Sequence, residues 1–446
     1  TSVNVSSSTT FSTPTLLPKL QSKYGNKDGQ FASWGDPVNS NYDPKNFFRT
    51  GVNTINSMSL STGTSKNQTY VSVSATNSTG IIPNNNYDRY NISGRNTANF
   101  LNDKLVLDFG ANLIFQKDKN MIGQGRYFNP LTSLYLFPRG GNFDAVRMYE
   151  TYNEGLDIYE QYWPYGTQSL ELQNPYWTIY RNIRENTKKR FMTNVSLKWK
   201  ITDGIDITGR LKYDKTDMRS TDKRYPSTIE QFASSYGGYY DIRKEYSSFY
   251  GDVMLNIAKS FYDNQLSLSA NIGSSINDQR EEQIGHGGNM DGNYNYFAID
   301  NIDTSDKNRR IKSGYIQQSQ SIFYNIEVGY KSMIYLTTTG RNDWESPLAF
   351  TDTPCFFYPS IGLSGIISSM VKLPDWISYL KVRGSYTEVG SSPARFVTRP
   401  TYEFNIASGK WDSTSIYPMR DLKPERTRSW EIGINSKWLN NHFSFD

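Results

Sequence analysis

The sequence predicts an all-β protein, a transmembrane up-and-down antiparallel β-barrel. Three observations predict it: long runs of alternating apolar and polar residues, tight turns that alternate with long loops, and many aromatic residues in a polar chain. The stretch "VSLKWKITDGIDITGRLKYDK" (residues 195–215) contains two such runs on either side of Asp203-Gly204. Side chains alternate faces along a strand, so each run has one apolar face and one charged face.

Similar alternation recurs along the chain, at residues 105–115, 253–257, 266–272, 322–330 and 380–386. Strand rules applied to the whole sequence give roughly 13–15 strands. No stretch approaches the ~20 apolar residues that a membrane-spanning helix needs. The chain is therefore predicted to consist of strands, with no more than short helical turns in its loops.

The connections between these runs come in two kinds. Tight hairpin turns are predicted at Asn102-Asp103, Asp203-Gly204, Asp263-Asn264, Lys331-Ser332 and Asn440-Asn441. Long loops are predicted at residues 116–188, 219–246, 276–316, 343–355 and 390–428. This alternation is typical of outer-membrane barrels, whereas loops longer than ~15 residues are uncommon in compact soluble domains.

The charged face has a physical explanation in a barrel. A sheet that crosses a membrane must close, because hydrocarbon cannot satisfy the polar groups of its edges. Lipid then covers the apolar face, and water in a wide lumen solvates the charged face. A soluble antiparallel sheet with one solvated face would produce the same alternation and is the alternative.

Composition agrees with a membrane barrel. Hydrophobic residues make up 36% of the 446 residues, which is low for a large buried core, yet aromatic residues reach 15%. Aromatic belts at the membrane surface explain this combination, as do loops that stack on carbohydrate. The net charge of +5 is too balanced to indicate a nucleic-acid partner. With one cysteine and two histidines, neither a disulfide framework within the chain nor a zinc centre is expected.

The two ends of the sequence look like parts of a structure. The start, "TSVNVSSSTTFS", lacks the basic and apolar regions of a signal peptide and already alternates like a strand. The end, "NHFSFD", reads as part of a strand as well. We therefore expect the chain to begin and to end within a larger fold.

Several short motifs are more specific than the alternation. In chain order they are "LPKLQSKYG" (17–25), "GIIPN" (80–84), "NPLTSLYLFPRG" (129–140), "QYWPYG" (161–166), "QNPYW" (173–177), "RNDW" (341–344), "FYPS" (357–360) and "LKPE" (422–425). This ordered set spans essentially the whole chain. It resembles the SusC/RagA-like family of TonB-dependent outer-membrane transporters.

The resemblance implies a barrel of about 22 strands that holds a plug domain. On that basis residues 1–446 are part of the barrel domain, with long extracellular loops. The plug domain and its TonB box are expected upstream of residue 1, and the last strands are expected downstream of residue 446.

The resemblance also implies a function and partners. The protein would be an active nutrient importer in the outer membrane of a Gram-negative cell, carrying oligosaccharides or oligopeptides. It would be energised by the TonB–ExbB–ExbD complex and covered by a SusD-like surface lipoprotein. Outer-membrane lipid and lipopolysaccharide would surround it, in a dimer of transporter–lid pairs. No catalytic activity or cofactor is implied. The alternatives are a surface β-rich glycan-degrading enzyme and a passive porin or adhesin.

Two aromatic loops supply candidate ligand-binding residues. In the loop 149–177 these are Tyr162, Trp163, Tyr165 and Trp177, which could contact a ligand or the lid. Aromatic faces stack on sugar rings and also grip peptide side chains. In "SSYGGYYDIRK" (234–244) they are Tyr239, Tyr240 and Arg243. For both sets, packing of the loop on the barrel rim is the more ordinary explanation.

One loop faintly resembles a calcium site. Its residues Asn289, Asp291, Asn293 and Asn295 occupy alternate positions, as in oxygen-ligand calcium loops, but the closing glutamate is missing. A solvated Asn/Gly-rich loop explains the pattern better.

Catalysis has little support in the sequence. The two histidines make a Ser-His-Asp site implausible. A carboxylate pair of glycosidase type stays open, because 43 acidic residues allow many pairings. We expect "RNDW" to be structural, with Arg341 paired to Asp343 or to a neighbouring carboxylate.

Overall fold

A computed structural model describes residues 1–27, 31–123, 125–168, 170–305, 309–399, 401–405, 409–413 and 417–446. Within these residues, fifteen strands form one antiparallel sheet, and the strands of the sheet follow one another in chain order. The prediction of roughly 13–15 strands is confirmed. Because the long strands all belong to one sheet, the described chain is not a two-layered soluble sandwich.

The sheet has the order β1-β2-β3-β4-β5-β8-β9-β10-β11-β12-β13-β14-β15-β18-β19 and is only partly closed. Its strands are β1 (Ser2–Ser12), β2 (Gly51–Gly63), β3 (Asn67–Thr79), β4 (Asn86–Phe100), β5 (Leu105–Lys119), β8 (Asn182–Thr202), β9 (Ile205–Arg224), β10 (Gly238–Phe261), β11 (Leu266–Asn289), β12 (Arg310–Tyr330), β13 (Ile334–Glu345), β14 (Cys355–Ile366), β15 (Ile377–Ser391), β18 (Glu425–Trp438) and β19 (Phe443–Phe445). Two hairpins lie outside it: β6 (Glu150–Asn153) with β7 (Ile158–Gln161), and β16 (Tyr402–Asn405) with β17 (Lys410–Ser413).

The helical elements are short. They are α1 (Pro130–Leu136), α2 (Phe143–Val146), α3 (Pro175–Tyr180), α4 (Ile367–Met370) and 3-10 turns at Pro44–Phe47, Ile299–Asn301 and Ser346–Leu348. Within the described ranges, no helix has the length and apolar character needed to cross a membrane.

All five predicted tight turns are confirmed, and they lie at the same end of the sheet. Nine of their ten residues adopt left-handed backbone conformations, for example Asn102 and Asp103 with φ of 53° and 64° and Gly204 with φ of 73°. Asn, Asp and Gly tolerate this conformation better than other residues, which is why four of the five turns, all except Lys331-Ser332, carry these residues.

The long connections lie at the opposite end but are shorter than predicted. Observed spans are 120–181, 225–237, 290–309, 346–354 and 392–424, and a further long connection, 13–50, was not predicted. The difference arises because β8 to β12 are 20 to 24 residues long. A membrane crossing needs only ~9–11 strand residues, so these strands extend well beyond it.

The two faces of the sheet differ as predicted. One face, the outer face, presents exposed apolar side chains such as Trp199 (53% exposed) and Leu211 (53% exposed). The other, the inner face, carries charges that pair between neighbouring strands, such as Lys198 with Asp206 at 3.1 Å. An exposed apolar face behind a wet, charged face is the arrangement of a transmembrane barrel.

Candidate ligand-binding surfaces

The long connections share a small hydrophobic core at their end of the sheet, which we call the loop core. Asn129 starts α1 by accepting a hydrogen bond from the backbone N–H of Leu131, and Asn174 caps α3 in the same way through Tyr176. A proline follows each cap, at the first helical position, where it lacks no needed donor. The buried residues of the loop core are Phe47, Ile82, Leu134, Phe137, Phe143, Val146 and Ile179.

Arg139 joins two of the sequence motifs in this core. Its Nε donates to the backbone carbonyl of Gln21 (3.1 Å), and its Nη1 donates to that of Phe137 (2.7 Å). Its guanidinium also lies 4.9 Å from the ring centre of Tyr42, and burial lowers the pKa of Arg139. The motifs at 17–25 and 129–140 are therefore parts of one structural unit.

Tyr42 and Asn84 add two further ties. The Tyr42 hydroxyl donates to the carbonyl of Leu134 (2.5 Å), and burial raises the pKa of Tyr42. Asn84, from "GIIPN", donates to the carbonyl of Ile179 (2.6 Å). The motifs at 17–25, 80–84, 129–140 and 173–177 thus meet at the loop core, and "QYWPYG" is a fifth motif in the same region.

The structure brings Tyr162, Trp163, Tyr165 and Trp177 to this region. Trp177 is 0% exposed, and its Nε1 donates to Thr228 Oγ1 at 3.1 Å. No ring face of Trp177 is accessible to a ligand, so its position fits the packing alternative.

The other three aromatic residues are partly buried. Trp163 donates to the carbonyl of Gly166 (2.8 Å). Tyr165 packs edge-on against Phe137, with 5.4 Å between ring centres, and burial raises its pKa. The backbone N–H of Tyr162 bonds to the carbonyl of Tyr149. Ligand contact by these three residues stays a prediction.

Tyr239, Tyr240 and Arg243 do not form one surface. Tyr239 is 7% exposed in a small cluster with Met290 and Ile302. Strand alternation in β10 places Tyr239 and Arg243 on the outer face and Tyr240 on the inner face. Only Arg243 is exposed. A single ligand cannot contact Tyr240 and Arg243 from one side of the sheet.

The loop that contains Asn289, Asp291, Asn293 and Asn295 is organised by a residue that the sequence analysis missed. The side chain of Asn301 donates to the carbonyls of Asn293 (2.8 Å) and Tyr296 (2.9 Å) and accepts from the N–H of Asn293. Across the residues that the structure covers, no group of three or more His, Cys, Asp or Glu side chains could hold a metal ion. The carboxamide of Asn301 thus accounts for the fold of this loop.

The inner face carries a polar network that no motif predicted. Arg210 bonds to both carboxylate oxygens of Asp252 (3.0 and 3.1 Å), and the Asp252 side chain is 0% exposed. A second chain runs across three strands, because Asn256 donates to Asp206 (2.6 Å) and Asn271 donates to Asn256 (2.7 Å). Because these polar side chains pair with partners on the neighbouring strand, they are held in place where they would otherwise be mobile in water.

Part of this face forms an open groove of about 850 Å³ between β3 and β10. It combines cations, carboxylates, amides and an aromatic ring, supplied by Arg95, Asp108, Asn112, Lys212, Asp214 and Tyr250. Convergent polar groups beside an aromatic ring are typical of sites for polar ligands. These six residues come from four strands, β4, β5, β9 and β10, so only the alternation of strand faces could have pointed to them.

"RNDW" has the structural role that the sequence predicted. Arg341 Nε donates to Asp343 Oδ1 (2.7 Å), and Arg341 Nη2 donates to Ser321 on the neighbouring strand (2.6 Å). Tyr358, from "FYPS", also donates to Asp343. The two motifs therefore form one polar cluster on the inner face.

Comparison with protein families assigns most of the chain to a known family. The model of the family described as "TonB dependent receptor-like, beta-barrel" matches residues 132–446. The chain belongs to this family. Its resemblance to the SusC/RagA-like group is confirmed by the relatives that it matches. The family consists of transporters rather than enzymes.

One relative by sequence and two solved structures are similar to the chain, and the solved structures support the fold. The TonB-dependent receptor SusC of Bacteroides thetaiotaomicron is 23% identical over an alignment of 438 positions, and the match covers 91% of this chain and 42% of SusC. The RagAB peptide transporter has a TM-score of 0.68 at 17% identity, covering 91% of this chain and 45% of that one. FpvA of Pseudomonas aeruginosa has a TM-score of 0.51 at 12% identity, covering 88% and 45%. The chain spans less than half the length of these relatives.

Proposed function

We propose that this chain is part of the barrel of an active importer in the outer membrane of a Gram-negative cell. The observation that carries the proposal is the inner face, where paired charges and amides line an open groove behind a lipid-compatible outer face. A wall of this kind offers hydrogen bonds to a polar solute along its whole path. Membership of the TonB-dependent receptor-like barrel family supports the same proposal.

The cargo in this proposal is an oligosaccharide or an oligopeptide. RagAB is a peptide transporter, and the groove, with charges of both signs, suits the ends and side chains of a peptide. Its amides and Tyr250 equally suit sugar hydroxyls and sugar rings. Transport breaks no bond, so the mechanism is binding at the mouth followed by release through the lumen.

Energy and gating come from partners in this proposal. A plug domain with a TonB box, encoded upstream of residue 1, fills the lumen and is moved by the TonB–ExbB–ExbD complex, and the last strands are encoded downstream of residue 446. A SusD-like lipoprotein closes over the long connections, and two transporter–lid pairs form a dimer. We assign the hairpin β6–β7 as the part of this surface that contacts the lipoprotein, because its residues Tyr152 and Tyr159 are 52% and 50% exposed.

The test uses the full-length protein extracted from membranes in detergent. Calorimetric titration with oligosaccharide and oligopeptide mixtures is expected to show binding, and mass spectrometry is expected to recover every ligand intact. Recovery of cleaved ligand from the purified protein would favour the glycan-degrading enzyme instead.

A paired variant tests the role of the hairpin. Changing Tyr152 and Tyr159 to alanine is expected to weaken capture of the lid lipoprotein about tenfold or more, as expected for loss of two exposed aromatic anchors. The matched control is Tyr90→Ala, an aromatic residue of similar exposure (48%) on the strand β4. Equal loss of capture in the control would remove the hairpin from the lid surface.

A further inference from the structure

The outer face of three consecutive strands of the sheet changes character at one aromatic residue each. In β5 the outer-face positions run from Leu105 to Phe115 without a charge, and the run ends at Phe115. The corresponding last residues are Phe191 in β8 and Tyr213 in β9. All three rings are exposed, by 41%, 39% and 37%. Girdles of aromatic residues mark the two membrane surfaces of such barrels.

A lysine occupies the next outer-face position on each of these strands. The residues are Lys117 after Phe115, Lys189 before Phe191 in the opposite strand direction, and Lys215 after Tyr213. The register sets Lys189 directly opposite Phe115, and Lys215 directly opposite Phe191. Each lysine is therefore displaced diagonally by two residues from the lysine of the preceding strand.

This diagonal places the three lysines at one height. Barrel strands tilt by roughly 35–45°, so residues at equal depth in the membrane follow a diagonal across the register rather than a row of paired residues. We call Lys117, Lys189 and Lys215 the lysine row. It lies on the side of the aromatic girdle that faces the long connections.

All three side chains of the lysine row reach the surface, and two of them also pair with carboxylates. Lys189 is exposed, and the Lys117 and Lys215 side chains are 55% and 41% exposed. The carboxylates of Glu185 and Glu245 lie at 3.8 and 3.4 Å from Lys117 and Lys215, respectively. Both of these residues, and Asp217 beside Lys215 at 3.6 Å, occupy outer-face positions farther from the apolar band. The cations are thus the first charges above the lipid.

We propose that the lysine row binds the phosphate groups of a phosphorylated glycolipid in the outer leaflet. This inference rests on the proposed function, because it requires the apolar outer face to be in the outer membrane. Lysine stems lie along the edge of the hydrocarbon while their ammonium groups reach the headgroups. Three cations at one height, spaced by neighbouring strands, match a layer of anionic headgroups better than they match a soluble ion.

The experiment measures lipid binding by the full-length protein, purified from membranes and stripped of lipid in detergent. Micelles doped with monophosphoryl lipid A are the probe, with dephosphorylated lipid A and free inorganic phosphate as the two comparison arms. The wild-type protein is expected to bind the phosphorylated lipid and neither of the other two. Equal binding of dephosphorylated lipid A would overturn the assignment to phosphate, and equal binding of inorganic phosphate would overturn the assignment to lipid.

The test variant is K117Q/K189Q/K215Q, and the matched control is K188Q/K198Q/K200Q, which removes the same charge from the inner face. Each lysine near an anionic surface contributes about fivefold in affinity, so the test variant is expected to bind about 100-fold more weakly. The control is expected to bind like the wild type. Equal binding by the two variants, with both barrels recovered in the outer membrane, would reject the lysine row alone. Recovery of the wild-type protein in the soluble fraction would reject the proposed function and the lysine row together.

Discussion

The loop core and the inner face of the sheet stabilise the same molecule by different means. In the loop core, aromatic and aliphatic side chains are buried, and polar side chains such as those of Arg139 and Tyr42 donate hydrogen bonds to backbone carbonyls. On the inner face, side chains stay partly exposed and charges pair between strands, as Arg210 and Asp252 do. The first region is a small protein core, and the second is a solvated wall.

The difference separates the motifs that identify the family from the residues that could bind cargo. Five of the eight motifs, those between residues 17 and 177, pack into or beside the loop core. The groove residues, in contrast, lie in ordinary alternating strands. The family-specific motifs therefore determine the structure of the long connections, whereas the polar residues of the inner face lie at positions that no motif marks.

The largest expected effect is that of Trp177→Ala. The change empties a fully buried site and leaves Thr228 without its indole partner. We expect the free energy of local opening of residues 130–181 to fall by about 3–5 kcal/mol, as for other buried aromatic residues. Hydrogen exchange of these backbone amides measures it.

The control for this variant is Trp199→Ala on the outer face, where the ring is 53% exposed. It should leave exchange in residues 130–181 unchanged. If both variants opened the loop region equally, the loop core and the barrel would be one cooperative unit, and the comparison above would fail.

The second prediction concerns Asn174→Ala. The Asn174 side chain is 0% exposed and donates to the carbonyls of Val146 (2.8 Å) and Tyr162 (2.9 Å). Its loss leaves two buried acceptors unsatisfied and removes the cap of α3. We expect local opening to become easier by about 2–3 kcal/mol. Asn142→Ala, which removes the exposed cap of α2, should cost about 1 kcal/mol in the same exchange measurement.

The third prediction tests the same comparison with a variant on the inner face. Asp252→Asn removes the charge that holds Arg210, whose side chain is 39% exposed and can turn to water. The cost should be about 1–2 kcal/mol, between the values for exposed and buried pairs. Faster exchange confined to β9, β10 and β11 is expected. Faster exchange in residues 130–181 would contradict the independence of the two regions.

Much of the sheet could be predicted from sequence, because each strand repeats a simple physical pattern. The apolar band of the outer face set strand identity, and Asn, Asp and Gly set the turns. The ends of β9 to β12 nearest the long connections were assigned to loops, since outer-face positions such as Lys215 and Arg280 carry charge and break the apolar alternation. Strand pairing in the structure continues there because backbone hydrogen bonds do not depend on the apolar pattern.

The loop region was less predictable. The helices α1 and α3 are seven and six residues long, too short for a helical period to be recognised. Their signals were local, an asparagine followed by proline in each case. Contacts such as Arg139 to Gln21 join residues 118 positions apart. No spacing rule predicts them, although the motifs at both ends were visible.

The smallest expected effect is a difference in the pH dependence of stability between the loop core and the inner face. Burial raises the pKa of Tyr42 above its ordinary value of 10.0, which means that the folded loop core favours the neutral phenol. Stability from this group is therefore complete below pH 10 and is lost as the pH rises through the raised pKa. Burial also raises the pKa of Tyr135, Tyr165 and Tyr176, so each adds to the same alkaline loss.

Tyr42→Phe isolates the contribution of one hydroxyl to this alkaline loss. At neutral pH the variant loses the hydrogen bond to Leu134 and should be less stable by about 1 kcal/mol. Above pH 10 its loop core should weaken less steeply than that of the wild type, because the remaining side chain cannot ionise. Protease cleavage within residues 120–181, followed from neutral to alkaline pH, measures both effects. An equally steep alkaline loss in the variant would mean that Tyr42 is not among the groups that open the loop core, whereas alkaline cleavage of the strand wall first would reverse the order of stability between the two regions.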